Sequence, residues 1–338
     1  MKVAAMLGEG KGGLVEKPDP KAKGEFVVVK IHVTPMCTEY HGFKRGSKSD
    51  NLGHEAAGEV VEVAQPGKVE VGDRVVVMPQ YPCGKCPLCL AGEYIHCQHN
   101  LNVEEVTGNV SATATYAQYM VKQDWLLVPI PDDISYEHAS MACCGLGPTF
   151  NATQLMNVNS FDTVLITGMG PVGLGGVINC VHRGARVIAV EMHPYRANLA
   201  KELGAEVAID PSDEDALDQI MDLTDGVGVD KAIDCSASAE GARLLIDAAR
   251  RKGHVSFVGA VGELTVRPSR DMVGKGLTLH GAWHFNLGDS PRIMEVVKNE
   301  PDLLNKLITH TFPMSKVQEA WELQVTGNCG KVVLYPWE

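Results

Sequence analysis

Residues 163–191 read TVLITGMGPVGLGGVINCVHRGARVIAVE. TVLITG (163–168) is an apolar run of strand length, rich in β-branched residues. PVGLGGVINCVHRG (171–184) reads as a helix opened by proline and stopped by glycine, and ARVIAVE (185–191) as a second strand. Between strand and helix stands Gly168-Met169-Gly170-Pro171-Val172-Gly173, a match to G-x-G-x-x-G. Alone the motif is weak; a strand before it and a helix after it supply the context it needs. The first glycine permits a tight turn, the second lets a pyrophosphate approach the backbone, and the third lets helix and strand pack closely. The phosphates would sit on unpaired N–H groups at the helix N-terminus. Glu191 ends the next strand, 23 residues after Gly168. A carboxylate there accepts the ribose hydroxyls of NAD and repels the 2′-phosphate of NADP. His193 and Arg196 follow closely and would bind such a phosphate, so NADP is the weaker alternative. The candidate cofactor-binding residues are Gly168, Gly170, Pro171, Val172, Gly173, Glu191 and Arg196. Residues 163–181 carry no charge, as a membrane span would, but five glycines and Pro171 interrupt them.

Downstream the alternation continues. Helix PYRANLAKELG (194–204), strand EVAID (206–210), helix DEDALDQIMDL, strand VDKAIDC, helix AEGARLLIDAAR and strand HVSFVG follow in turn. Strand–helix alternation of this kind predicts a parallel sheet covered by helices on both faces. Upstream, the first 130 residues are β-rich. FVVVKIHV (26–33), GEVVEV (58–63) and DRVVVMP (73–79) are separated by Gly, Pro and charged turns. The boundary between the two textures lies near residue 150. The last fifty residues show one amphipathic helix pattern (317–323) and a final strand, KVVLYP (331–336), a tail expected to return to the first domain.

Within the β-rich part, Cys83, Cys86, Cys89 and Cys97 are spaced C-x2-C-x2-C-x7-C. Four thiolates this close converge on one tetrahedral ion if the chain folds around it as a lobe. Zn²⁺ fits, because it prefers sulfur and closes four-coordinate in structural sites. An iron–sulfur cluster would call for a last gap of three, not seven. Disulfides would call for export. The start, MKVAAMLGEGKGG, has charges at Glu9 and Lys11 and no apolar signal-peptide core, so a reducing cytoplasm is expected for the ten cysteines. The net charge of −12 disfavours nucleic acid and anionic membranes, which both demand basic surface.

Cys37, His54, Glu55 and Cys144 are distant in sequence, and each alone reads as an ordinary core or surface residue. Their settings differ from that: Cys37 follows KIHVTPM, Gly53-His54-Glu55 precedes AAGEVVEV, and Cys144 stands at the junction with the nucleotide domain. Together with the four-cysteine lobe, the glycine turn and the closing GKVVLYP, these segments resemble the zinc-dependent medium-chain dehydrogenase/reductase superfamily, which holds the alcohol, sorbitol and threonine dehydrogenases. The resemblance spans almost the whole chain. It implies an α/β protein: a GroES-like β-rich catalytic domain over 1–147 with its zinc lobe at about 80–100, a Rossmann NAD-binding domain over 148–286, and a return to the catalytic domain over 287–338, with the active site in the cleft between the two.

The resemblance also implies two zinc ions per chain. Cys37 and His54 match the first two ligands of a catalytic zinc, Glu55 the adjacent glutamate, and Cys144-Gly145 the third ligand, with Cys143 the neighbouring alternative. The usual family pattern C-x-[ST]-D-x-H is one residue shorter here, Cys37-Thr38-Glu39-Tyr40-His41. Thr38 and His41 are the candidates for the proton relay, in an unsettled register. The implied reaction is hydride transfer between NAD and an alcohol whose hydroxyl the metal acidifies. The alcohol is a secondary alcohol, polyol, sugar or amino alcohol. Trp125, Trp283, His284 and Phe285 are candidate pocket residues. A homodimer or homotetramer is expected. Two alternatives stay open at this point: a non-catalytic NAD-binding zinc scaffold, and a zinc-free quinone reductase of the same fold.

Overall fold

A computed structural model describes residues Met1–Glu338. The chain forms two compact units: Met1–Cys144 with Asn286–Glu338, and Gly145–Phe285. The cuts expected at 147/148 and 286/287 fall three and one residues later than these.

The first unit is built on a seven-stranded sheet. Its order is Ile308–Pro313, Lys331–Tyr335, Phe26–Pro35, Ala56–Glu62, Arg74–Val77 and Leu127–Pro129, with Tyr119–Gln123 also paired to Phe26–Pro35. Phe26–Pro35 is the hub, because its alternating residues serve two cores. Val27, Val29 and Ile31 pack with Val60, Val75, Val77 and Leu127, while Phe26 and Val28 pack with Val103 and Val121. That split is the period-two geometry of a strand with both faces covered. A third cluster, Met6, Met36, Phe43, Tyr116, Trp321 and Leu334, joins the N-terminal strand to the C-terminal helix Val317–Thr326.

The tail therefore returns to the first unit, but it is richer than one helix and one strand. Helices Ser290–Asn299 and Pro301–Leu307 and strand Ile308–Pro313 precede Val317–Thr326. The sequence reading did not include them, and each carries a proline, Pro291 and Pro301, in its first turn. Both stand at the helix N-termini, where a missing N–H costs nothing.

The second unit is a six-stranded parallel sheet in the order Val207–Ile209, Arg186–Val190, Thr163–Thr167, Val229–Asp234, Ala249–Phe257, Thr278–Gly281. Counted from Thr163–Thr167, this is 3-2-1-4-5-6, the doubly wound order of dinucleotide-binding folds. Helices Pro171–His182, Pro194–Glu202, Ala216–Asp222 and Ala239–Ala248 make the crossovers. The uncharged run 163–181 is thus a buried strand and a buried helix. No helix of the chain is long and apolar enough to cross a membrane.

Candidate functional site

The four-cysteine lobe is a short loop around two single helical turns, Pro87–Leu90 and Tyr94–His96. Cys86 Sγ lies 3.5 Å from Cys89 Sγ and 3.9 Å from Cys97 Sγ, and Cys97 Sγ lies 3.7 Å from Cys83 Sγ. Zinc–sulfur bonds of about 2.3 Å in a tetrahedron put the sulfurs about 3.8 Å apart, so the lobe has the dimensions of a zinc site. Backbone N–H groups of Cys83 and His99 donate to Cys97 Sγ, each at 3.3 Å, which steadies a thiolate. Lys122 Nζ donates to Gln80 O and Gln123 Nε2 to Pro82 O at 2.6 Å, so strand Tyr119–Gln123 anchors the chain entering the lobe. Asn286 Nδ2 holds Ala91 O at 2.9 Å. All ten cysteines are free of disulfides. Cys89→Ser should lose one zinc per chain and lower the thermal midpoint by several degrees, with the second zinc retained; atomic absorption and calorimetry on the same sample check it.

The second cluster forms from residues far apart in sequence. One ligand atom from each of Cys37, His54, Glu55 and Cys144 lies within 4.8 Å of all the others. Cys37 ends the extension of Phe26–Pro35. His54 and Glu55 lead into Ala56–Glu62, the neighbouring strand, and Cys144 closes the turn after helix Tyr136–Ser140. Gly53 makes this entry possible: its φ is +85°, and any Cβ there would collide with the Tyr116 ring. His54 Nε2 is 3.2 Å from Cys144 Sγ and 4.0 Å from Glu55 Oε1. Cys143 points elsewhere, donating its thiol to Val77 O at 3.3 Å, and burial pushes that thiol up to about 12.

Three residues that sequence reasoning gave no role complete the cluster. Glu39 Oε1 takes His54 Nδ1 at 2.9 Å, which fixes the tautomer and turns the Nε2 lone pair toward the sulfurs. Burial works against the Glu39 charge, yet His54 and the Tyr116 hydroxyl, 2.9 Å from Oε2, hold its carboxyl down at about 2. A hydrogen bond from the Cys144 thiol holds Cys37 well below an ordinary thiol, against the opposing effect of burial. Lys331 Nζ pairs with Glu55 Oε1 at 2.6 Å, and both side chains are 0% exposed. Burial raises the Glu55 carboxyl and Lys331 pulls it back. Glu55 Oε2 is buried without a hydrogen-bond partner. A buried orphan oxygen beside two thiols and an imidazole is a donor set that fits a cation, and its mixture of S, N and O suits zinc.

Thr38 and His41 are exposed and joined by a backbone hydrogen bond of 3.0 Å. Trp125 lies against Gly84 of the lobe. Trp283 is 50% exposed, His284 is buried at φ +53°, and Phe285 packs edge-on to Phe150 in the core of the second unit.

In the second unit, Gly168 takes φ +78° and its missing Cβ would fall 2.5 Å from Ser236 Cα. Gly173 leaves no room for a Cβ against Gly168 O, whereas Gly170 faces open space. The turn is closed where helix and strands meet and open where a pyrophosphate would lie, ahead of the N-terminus of Pro171–His182. Glu191 Oε2 accepts from Met169 N at 2.7 Å and Oε1 from His193 N at 2.8 Å, so the carboxylate is tied to the turn itself. Arg196 lies half-buried on the helix that follows.

The family model described as alcohol dehydrogenase GroES-like domain matches residues 23–132, and the zinc-binding dehydrogenase model matches residues 171–299. The chain is 33% identical to L-threonine 3-dehydrogenase of Pyrococcus horikoshii, over 95% of this chain and 94% of that protein. It is 28% identical to sorbitol dehydrogenase of Halalkalibacterium halodurans, over 99% of this chain and 98% of that one. Among solved structures, alcohol dehydrogenase TADH from Thermus sp. ATN1 superposes with a TM-score of 0.89 over 99% of both chains, at 20% identity.

Proposed function

The chain belongs to the zinc-dependent medium-chain dehydrogenase/reductase superfamily, and on that premise we propose that it oxidises a secondary alcohol, polyol, sugar or amino alcohol with NAD⁺, using two zinc ions per chain. Its class is an oxidoreductase of the zinc alcohol dehydrogenase type. The observation that carries the proposal is the quartet of buried Cys37, Glu55 and Cys144 with partly exposed His54, together with its orphan Glu55 oxygen. A zinc scaffold needs only the lobe, and a zinc-free reductase needs neither cluster.

Zinc, when bound, supplies the Lewis acidity that favours loss of the alcohol proton, and NAD⁺ takes up the hydride. Cys37, His54 and Cys144 would hold the metal, and Glu39 keeps His54 in the one tautomer that presents Nε2. Glu55, backed by Lys331, would offer a carboxylate to the metal beside those three ligands. Thr38 and His41, exposed after Cys37, are the route by which the proton leaves. Gly168, Gly170, Pro171, Val172 and Gly173 would seat the pyrophosphate, and Glu191 and Arg196 flank the adenosine ribose. The ten free cysteines suit a reducing cytoplasm, where the protein would act as a homodimer or homotetramer.

The experiment is zinc analysis together with NADH formation across L-threonine, sorbitol, other polyols, sugars and simple secondary alcohols. About two zinc per chain and turnover within this panel are expected; one zinc per chain and no turnover would defeat the proposal. Glu191 sets the cofactor arm. Wild-type protein should prefer NAD⁺, and Glu191→Ala should shrink the ratio of kcat/KM for NAD⁺ over NADP⁺ by about tenfold or more, since a charged hydrogen bond of roughly 1.5–3 kcal/mol is lost. A higher wild-type kcat/KM with NADP⁺ would transfer the role to His193 and Arg196.

A further inference from the structure

Helix Val317–Thr326 buries Val317, Ala320, Trp321 and Gln324. Their spacing of i, i+3, i+4, i+7 is that of an apolar face, and the first three positions obey it. Gln324 does not. It is 3% exposed, and its Oε1 has no hydrogen-bond partner. A buried amide with an orphan oxygen is less favourable than an apolar side chain of the same size. Its Nε2, however, donates to the backbone carbonyl of Cys37 at 3.2 Å, across 287 residues of sequence.

The helix after Cys37 supplies that carbonyl with no donor. In the helix that follows, His41 N–H goes to Thr38 O at 3.0 Å, and Gly42 and Phe43 N–H go to Glu39 O at 2.8 and 3.3 Å. The ladder starts one residue too late to include Cys37 O. On the other side of the same residue, Cys37 N–H faces Glu39 Oε2 at 3.2 Å and the Tyr116 hydroxyl at 3.3 Å. Gln324 thus holds one side of Cys37 and Glu39 with Tyr116 the other. With both its N–H and its carbonyl pinned, the backbone of Cys37 is fixed, and with it the point from which the side chain reaches His54 and Cys144.

We propose that Gln324 is a positioning residue for Cys37, supplying the donor that the following helix does not and holding the thiolate in place for the catalytic zinc. The inference rests on the reading that the Cys37 cluster binds zinc. It concerns retention of the metal rather than the fold, since an apolar residue at 324 suits the helix better.

The test compares wild type with Gln324→Met, which keeps the length and removes the donor, and Gln324→Glu, which keeps the shape and removes the N–H. Zinc transfer to a colorimetric chelator is followed in time, with the structural phase assigned from Cys89→Ser. Both variants should release the catalytic zinc about tenfold faster or more, the usual size of an outer-shell effect. The structural phase should stay unchanged, and the thermal midpoint of Gln324→Met should not fall. In cobalt-substituted protein, the thiolate-to-metal absorption of the catalytic site should shift in both. Wild-type release rates in both variants would overturn the proposal. So would loss of both ions together with a lowered midpoint, the mark of a merely structural role. A wild-type chain with one zinc would overturn the functional reading and this inference with it; two zincs and unaltered variants would overturn the inference alone.

Discussion

Cys37→Ala or His54→Ala is expected to abolish turnover while leaving NAD⁺ affinity nearly unchanged. Both residues belong to the first unit, and the glycine turn belongs to the second. Removing a ligand does not touch the hydrogen bonds that shape Gly168–Gly173. The metal's share of the barrier is several kcal/mol, and each 1.4 kcal/mol is a factor of ten, so the rate should fall by about a thousandfold or more. Cys144→Ala should behave in the same way. Cys143→Ala should keep the zinc, because its thiol bonds Val77 O rather than the cluster. Zinc analysis and isothermal titration of NAD⁺ on each variant decide the matter. A metal-depleted Cys37 variant that turns over at the wild-type rate would refute the zinc mechanism; a Cys143 variant that loses zinc while the Cys144 variant keeps it would exchange the third ligand.

Lys331→Met should cost about 3–5 kcal/mol of stability, because it leaves the buried Glu55 carboxyl without its cation, to stay charged out of water or to take up a proton. The pair sits at 2.6 Å with both side chains out of water. The second half of the argument is a double variant. Lys331→Met with Glu55→Gln removes both charges and should recover most of the loss, since replacing a whole buried pair is far cheaper than breaking it. Urea unfolding of the zinc-loaded proteins measures all three. A Lys331→Met protein within about 1 kcal/mol of wild type would mean that Glu55 is neutral in the native state or turned fully onto the metal.

The parts of the chain that could be read directly were those whose chemistry is local. TVLITGMGPVG encodes strand, turn and helix in consecutive residues, and the structure builds that turn with Gly168 at positive φ and Gly173 against Gly168 O. The cysteines at 83, 86, 89 and 97 lie within fifteen residues, so their spacing constrains their geometry before any tertiary contact forms. The quartet Cys37, His54, Glu55 and Cys144 was visible only through resemblance, because separations of up to 107 residues carry no geometry of their own.

What supports that quartet was not legible. Glu39 appeared in the sequence as one residue of a shortened pattern. Only the folded turn swings its carboxylate onto His54 Nδ1 and the Tyr116 hydroxyl. Lys331 read as a residue of the last strand, and Gln324 stood just past the amphipathic pattern of 317–323. Sheet register brings the first beside Glu55, 276 residues away, and helix packing brings the second beside Cys37. Hydrophobic periodicity determined which elements form and which faces they bury. The partners of buried polar groups were decided in three dimensions, because a charge or amide taken out of water is stabilised by whichever complementary atom the packing brings within about 3 Å, regardless of where that atom lies along the chain.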